Sequence, residues 1–242
     1  MMKEAQNEWA VEIRELTKSF SNHLALGGID LKVRRGQMLA VFGPNGAGKT
    51  TLIKVLASIM NPSSGEVLID GLNPKVNAEV IRAMIGVVPH QTLLYSHLTA
   101  HENLEFYSRM YAVPHFEERI LQVIGMVGMK PRLYDRVGTL SRGMQQRLSI
   151  ARALLHKPTI MLLDEPETGL DQQATTMLWR SIKEEEPERT VIFSSHSLER
   201  GLDVCDSLVI LNQGKIVYQQ SGDGLNLAGL KQAYYDSTGV IE

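Results

Sequence analysis

The sequence predicts an α/β protein whose strand-and-helix core is interrupted by a helical insert over roughly 91–157. Three observations carry this. The apolar run "MLAVFG" (38–43) leads straight into "GPNGAGKTT", where a glycine-rich turn opens a helix. From Thr99 to His156 the pattern is mostly helical. Strand character then returns at "TIMLLDE", "TVIFSS" and "SLVILNQGKIVY".

Taken in order, residues 9–16, "WAVEIREL", and 29–33, "IDLKV", alternate apolar and polar as half-buried strands do. "MLAVFG" is apolar throughout, which fits a strand buried on both faces, and Lys49 to Ile59 reads as the helix after it. "GEVLIDG" (65–71) is a short strand flanked by glycines, and "IGVV" (85–88) is another. Thr99 and Glu102 form a Thr-x-x-Glu capping box, which starts a helix there. Leu104, Tyr107, Ser108 and Tyr111 share one face of it. Leu148, Ala151, Leu154 and Leu155 make a second stripe, and Pro158 ends that helix. Asn212–Gly214 forms a hairpin-like turn. "DGLNLAGLKQAYYDSTG", in a tail of roughly 222–242, reads as a packing helix.

The 242 residues suffice for one large α/β domain, read here as spanning 1–242, and the 43% apolar and 21% charged fractions are those of a soluble globular chain. A net charge of −2 without a dense Lys/Arg block argues against a nucleic-acid partner. The single cysteine, Cys205, cannot form an internal disulfide, which fits a reducing compartment. The amino terminus lacks the apolar stretch of a signal peptide. No window reaches about 18 apolar residues, so work at a membrane requires other chains to supply the spans. "KEEEPER" (183–189) reads as a solvated helix end and turn. His97 and His101 straddle the Thr99 cap and share no helix face, so they are not read as a metal site.

Gly43, Pro44, Asn45, Gly46, Ala47, Gly48, Lys49 and Thr50 fit G-x-x-x-x-G-K-[ST], with Thr51 following. The glycines let backbone N–H groups curl around phosphate, and the helix start adds about half a positive charge. Lys49 would reach the β- and γ-phosphates and Thr50 would ligate Mg²⁺. Asp164 and Glu165 end a strongly apolar strand. Asp164 would hold Mg²⁺ through water, and Glu165 would polarise the attacking water. The Asn-Lys-x-Asp base reader of GTPases is absent. Neither a GTPase nor a nucleotide kinase accounts for "LSRGMQQR" (140–147), which has the makings of a second anion site: a hydroxyl, a glycine and an amphipathic run with a basic edge.

In the order "LSRGMQQR", "LLDEP", "TGLD", "SSH", and from "LTKSF" to "GKIVY", the sequence resembles the ATP-binding subunits of ABC transporters. The resemblance implies a P-loop NTPase (RecA-like) core with an antiparallel β subdomain and an inserted α-helical subdomain. It implies ATP and Mg²⁺ as cofactors, and ATP hydrolysis coupled to transport. It implies a second ATP-binding subunit, paired head to tail as a homodimer, and integral membrane permease subunits at the cytoplasmic face of the membrane. Leu140, Ser141, Arg142, Gly143 and Met144 take the place of the family's Leu-Ser-Gly-Gly-Gln signature, departing from it at Arg142 and Met144. By analogy Ser141 and the N–H of Gly143 contact the γ-phosphate bound by the partner. Phe20 stands where an aromatic stacks on adenine, or it is a core Phe at a strand end. Asp171 matches a residue that reads the opposite subunit, and His196 one that contacts the γ-phosphate and orients water. Glu167 replaces the usual Thr or Phe without clear consequence.

Family members place a glutamine after the "IGVV" strand, touching Mg²⁺ and the attacking water. An ungapped count puts His90 there; a one-residue bulge puts Gln91 there, and Gln91 is favoured because a loop leaving a strand tolerates a shift. Leu93, Leu94 and Tyr95 follow as an apolar cluster, a docking surface for a membrane partner or simple packing under the insert. "GVVPHQTLLYSHLTAHENLEFYSRMY", "LSRGMQQRLSIARALLHKPTIMLLDEPETGLD" and "HSLERGLDVCDSLVIL" are similar to the heme-exporter ATPase of bacterial cytochrome c maturation. The alternatives are the ATPase of a drug, lipid or polysaccharide exporter, and a soluble ABC ATPase outside transport.

Overall fold

The computed structural model describes residues 8–222 and 224–239, so the amino-terminal stretch 1–7 and parts of the expected tail, Asp223 and 240–242, lie outside the described residues. The chain opens with β1 (Trp9–Phe20), β2 (His23–Arg34), β3 (Met38–Phe42), α1 (Lys49–Leu56), β4 (Ser64–Ile69), α2 (Ala78–Met84) and β5 (Ile85–Val88). Three helices follow, α3 (Ala100–Met110), α4 (Phe116–Met126) and α5 (Arg142–Leu154), with short 3₁₀ turns at Lys130–Arg132 and Val137–Thr139. Then come β6 (Ile160–Asp164), α6 (Gln172–Glu185), β7 (Thr190–Ser194), α7 (Leu198–Leu202), β8 (Ser207–Asn212), β9 (Lys215–Ser221) and α8 (Leu227–Thr238).

Two sheets result. The smaller is antiparallel, in the order β2-β1-β4. In β2 the alternation reads cleanly: Ile29, Leu31 and Val33 are buried while Asp30, Lys32 and Arg34 are exposed. Both long strands outrun the alternating segments expected from sequence, because residues 17–20 pair back onto 23–27 across a tight turn. The larger sheet has the order β5-β6-β7-β3-β8-β9, parallel except for β9, which returns antiparallel from β8. The hairpin turn at Gln213 and Gly214 has positive φ at both residues (47° and 76°), the twist that suits a two-residue loop.

The central strands are apolar throughout because the sheet has a core on each face. Met38, Ala40 and Phe42 of β3, with Met161 and Leu163 of β6, face the side built from α3, α4 and α5. Leu39 and Val41, with Ile160 and Leu162, face α1 and the small sheet. The Thr99 capping box forms as expected: Thr99 Oγ1 accepts from Glu102 N–H, and the Glu102 carboxylate accepts from Thr99 N–H at 2.7 Å. That bond holds the Glu102 carboxyl below its ordinary pKa. The expected tail helix is present as α8, which buries Leu230 and Tyr234. Among the described residues no helix is long and apolar enough to cross a membrane.

Two expectations need correcting. The first helix ends at Leu56 and turns before Ile59. In "KEEEPER", Lys183, Glu186, Pro187 and Glu188 are exposed, but Arg189 is buried. Its guanidinium donates to the carbonyls of Pro158 (2.8 Å) and Ile182 (3.0 Å). A cation enters the interior here because it satisfies backbone acceptors that have no helical partner.

Candidate functional site

Strand β3 delivers Gly43 to the centre of the larger sheet, and the loop 43–48 wraps into the start of α1. Its glycines are structural necessities. A Cβ on Gly43 (φ 144°) would lie 2.1 Å from the Leu211 carbonyl oxygen, and one on Gly48 (φ 108°) 2.6 Å from that of Ala25. Lys49 is 5% exposed and folds back on the loop, with Nζ donating to the carbonyls of Gly43 (2.5 Å) and Pro44 (3.2 Å). The cleft over this loop, about 260 Å³, is lined by Pro44 to Thr51 and also by Phe20, His23, Ala25 and Glu165.

Phe20, at the end of β1, is 43% exposed, so it is not a core residue. It stands at the rim of the cleft with the Lys18 ammonium 5.2 Å from its ring centroid. One face of the ring is thus shared with a cation, and the side chain is a flat apolar surface at the mouth of an anion-binding loop.

The carboxylate end of β6 meets the loop. Asp164 is 2% exposed, and its Oδ2 accepts from Thr50 Oγ1 at 2.8 Å. Its Oδ1 accepts from Ser194 Oγ (2.8 Å), which in turn accepts from the Glu165 N–H (2.9 Å). Glu165 adopts a left-handed backbone, φ 53°, unusual for a non-glycine residue and typical of sites that hold a side chain in one place. Its carboxylate lies between two imidazoles: Nε2 of His196 on Oε1, and Nδ1 of His90 at 3.4 Å from Oε2. Ser194 escapes the sequence reading. Its signals are a hydroxyl that closes the apolar strand β7 and its place in the "SSH" stretch.

The Thr50 hydroxyl and Asp164 carboxylate suit Mg²⁺, a hard cation that takes oxygen ligands and commonly one or two carboxylates beside substrate phosphates. His90 and Gln91 both line a larger cleft of about 760 Å³ together with Asn45, Thr50, Asp164, Glu165 and His196. Of the two candidates, the His90 ring meets Glu165, while Gln91, the favoured one, lines the same cleft. Strand β5 ends at Val88, paired with Leu163. Of the cluster after them, Leu94 packs against the core while Leu93 and Tyr95 are exposed.

The signature stretch is built elsewhere. Ser141 is the N-cap of α5 and accepts from Met144 N–H at 3.3 Å. Gly143 is required by close approach, since a Cβ there would lie 2.6 Å from the Gly169 carbonyl oxygen. Gln146 Nε2 donates to the Pro166 carbonyl at 3.0 Å. The helix start is thereby seated on the loop that follows Asp164 and Glu165. Ser141 and Arg142 are exposed, Leu140 is buried, and Met144 packs partly against the core. Ser141 is not among the residues lining the cleft over the loop of its own chain. Asp171 caps α6 through Ala174 N–H (2.7 Å), and Glu167 accepts from the Trp179 indole N–H (2.7 Å), which gives that substitution a structural partner. His101 bonds Glu117 at 3.1 Å and stacks on Tyr134.

Residues 26–168 match the family described as ABC transporter. The chain is 35% identical over 205 residues to the ABC transporter ATP-binding protein NatA of Bacillus subtilis (strain 168), covering 83% of each chain. It is 33% identical over 210 residues to the linearmycin resistance ATP-binding protein LnrL of the same organism, covering 86% of this chain and 68% of that one. Among solved structures it is similar to a dimeric ATP-binding cassette in a post-hydrolysis state, bound to ADP and Pi. The TM-score is 0.82 at 28% identity, over 89% of this chain and 100% of the other.

Proposed function

The chain belongs to the ABC transporter family as an ATP-binding, ATP-hydrolysing subunit, and from that premise we propose that two copies pair head to tail, each closing its α5 start over the ATP held by the other. The observation that carries this is the placement of Ser141. A capped helix start favours anions, yet this one is exposed and lies outside the cleft of its own phosphate loop. Pairing gives it a γ-phosphate to meet. The similar cassette bound to ADP and Pi is dimeric, which supports the same reading.

In this reading Lys49 leaves its loop carbonyls for the β- and γ-phosphates, and Phe20 stacks on the adenine. Glu165 accepts the proton of the attacking water, held for that task by Ser194 through the backbone and by His90 and His196 through the carboxylate. Thr50 and Asp164 would hold Mg²⁺, which supplies neutralising charge at the phosphates when bound. Asp171 faces the opposite subunit.

Light scattering tests the pairing. The Glu165→Gln protein, unable to complete the cycle, is expected to double in mass with Mg-ATP. Adding Ser141→Arg, whose guanidinium fills the space the opposing loop needs, should keep it at the mass of one chain. An unchanged mass of the single variant with and without Mg-ATP overturns the proposal.

The membrane partner would dock on the exposed apolar side chains Leu93 and Tyr95, with Ile59, Phe106 and Met110 beside them, placing the chain on the cytoplasmic face. Leu93, Ile59 and Met110 share one groove, and the rings of Tyr95 and Phe106 meet edge to face at 5.3 Å. For the transported substrate, the three long segments support a heme exporter. The likeness to a linearmycin resistance protein supports a drug exporter instead. ATP turnover by the chain assembled with its membrane subunits separates the two. Stimulation by hemin is expected of the first, and stimulation only by an amphiphilic drug overturns it.

A further inference from the structure

We propose that Asn103 and Tyr107, one turn apart on α3, are positioning residues that hold the segment carrying His90 and Gln91, and so set His90 against Glu165. This rests on the reading of Glu165 and His90 as groups beside the γ-phosphate.

Residues 89–98 join β5 to α3 without regular structure, so their backbone groups need partners from elsewhere. Two side chains of α3 supply them. Asn103 is fully buried, and its amide is used at both ends. Its Oδ1 accepts from Tyr95 N–H at 2.8 Å, and its Nδ2 donates to the carbonyls of Tyr95 (3.1 Å) and Thr99 (2.9 Å). The Tyr107 hydroxyl donates to the Leu93 carbonyl at 2.5 Å.

The Tyr107 ring is itself fixed. The Arg152 guanidinium, 6% exposed, lies 5.0 Å from its centroid and donates to the Val87 carbonyl at 2.7 Å. The backbone is thus gripped at Val87, on the strand, and at Leu93 and Tyr95 beyond it. His90 sits on the short span between. A span tied at both ends has few conformations; releasing one end returns that freedom. All three grips come from helices that lie between β5 and β6 in sequence, so the position of the helical layer is written into the distance between His90 and Glu165.

Tyr107→Phe removes one hydroxyl and keeps the ring beneath Arg152, so the fold should survive. In nucleotide-free protein, amide hydrogen exchange over residues 91–94 should quicken by about 10-fold or more, with the core of α3 within about twofold. Turnover of Mg-ATP should show kcat lowered by roughly 3- to 10-fold with KM within about twofold, the pattern of a group that acts in the transition state. In a His90→Ala background, Tyr107→Phe should lower kcat no further, because both changes remove the same arrangement. Unchanged exchange at 91–94 overturns the clamp itself. Quickened exchange with unchanged kcat, or effects of the two substitutions that multiply, overturns its action through His90. A His90→Ala protein with normal kcat overturns instead the reading of the site.

Discussion

Replacing Glu165 by glutamine is expected to leave ATP bound and to slow its hydrolysis by about 10²-fold or more, the scale of losing a general base. The amide keeps the size and reach of the carboxylate and tolerates the left-handed backbone no worse than glutamate does. It cannot take a proton from water. Nothing in the phosphate loop is touched, since Lys49 bonds loop carbonyls and Thr50 bonds Asp164. Phosphate release measures the turnover, and a fluorescent ATP analogue measures the affinity. Equal hydrolysis by the parent protein and the variant would remove Glu165 from the reaction.

Lys49→Ala is expected to act on the other quantity. Hydrogen bonds to charged groups contribute about 1.5–3 kcal/mol each, so losing one or two to phosphate weakens ATP binding by about 10- to 10³-fold or more. The same substitution leaves the Gly43 and Pro44 carbonyls without this donor, so a melting curve must accompany the titration. A folded variant that binds ATP as the parent does would show that the lysine stays on its carbonyls when nucleotide arrives. Together the two variants separate holding ATP from breaking it. Neither result depends on the transported substrate.

Much of the site is legible because its parts are contiguous in the chain. A phosphate loop is eight consecutive residues running from the end of a buried strand into the start of a helix, and its glycines are visible as glycines. A pair of acids ending an apolar strand is equally local. What sequence does not show are the meetings of distant residues. Ser194 joins Asp164 to the backbone of Glu165 across two neighbouring strands. Glu167 finds Trp179, and Gln146 finds Pro166. The first depends on β6 and β7 becoming neighbours, which tertiary packing decides, and the other two on how α6 and α5 pack beside the loop after β6. The choice between His90 and Gln91 is not legible for a related reason: the two readings differ by one residue in a loop whose path is held by α3 and Arg152. In the fold, the long apolar and alternating runs announce their strands, whereas α2 and α7, seven and five residues long, are too short to display a helical period.

The two cores on opposite faces of the larger sheet limit how this chain can change in length. In β3 and β6 each successive side chain belongs to a different core, so deleting one residue would exchange every partner on both sides at once. Phe42 would turn from the side of the helical layer toward α1, and Ala40 with it. The same slip would present Gly43 to the Leu211 carbonyl in the wrong phase and swing the phosphate loop away from Asp164. Insertions and deletions therefore have to fall where the backbone leaves both cores, as between β4 and α2 or after β9. The spacing between phosphate loop and sheet is therefore a fixed length.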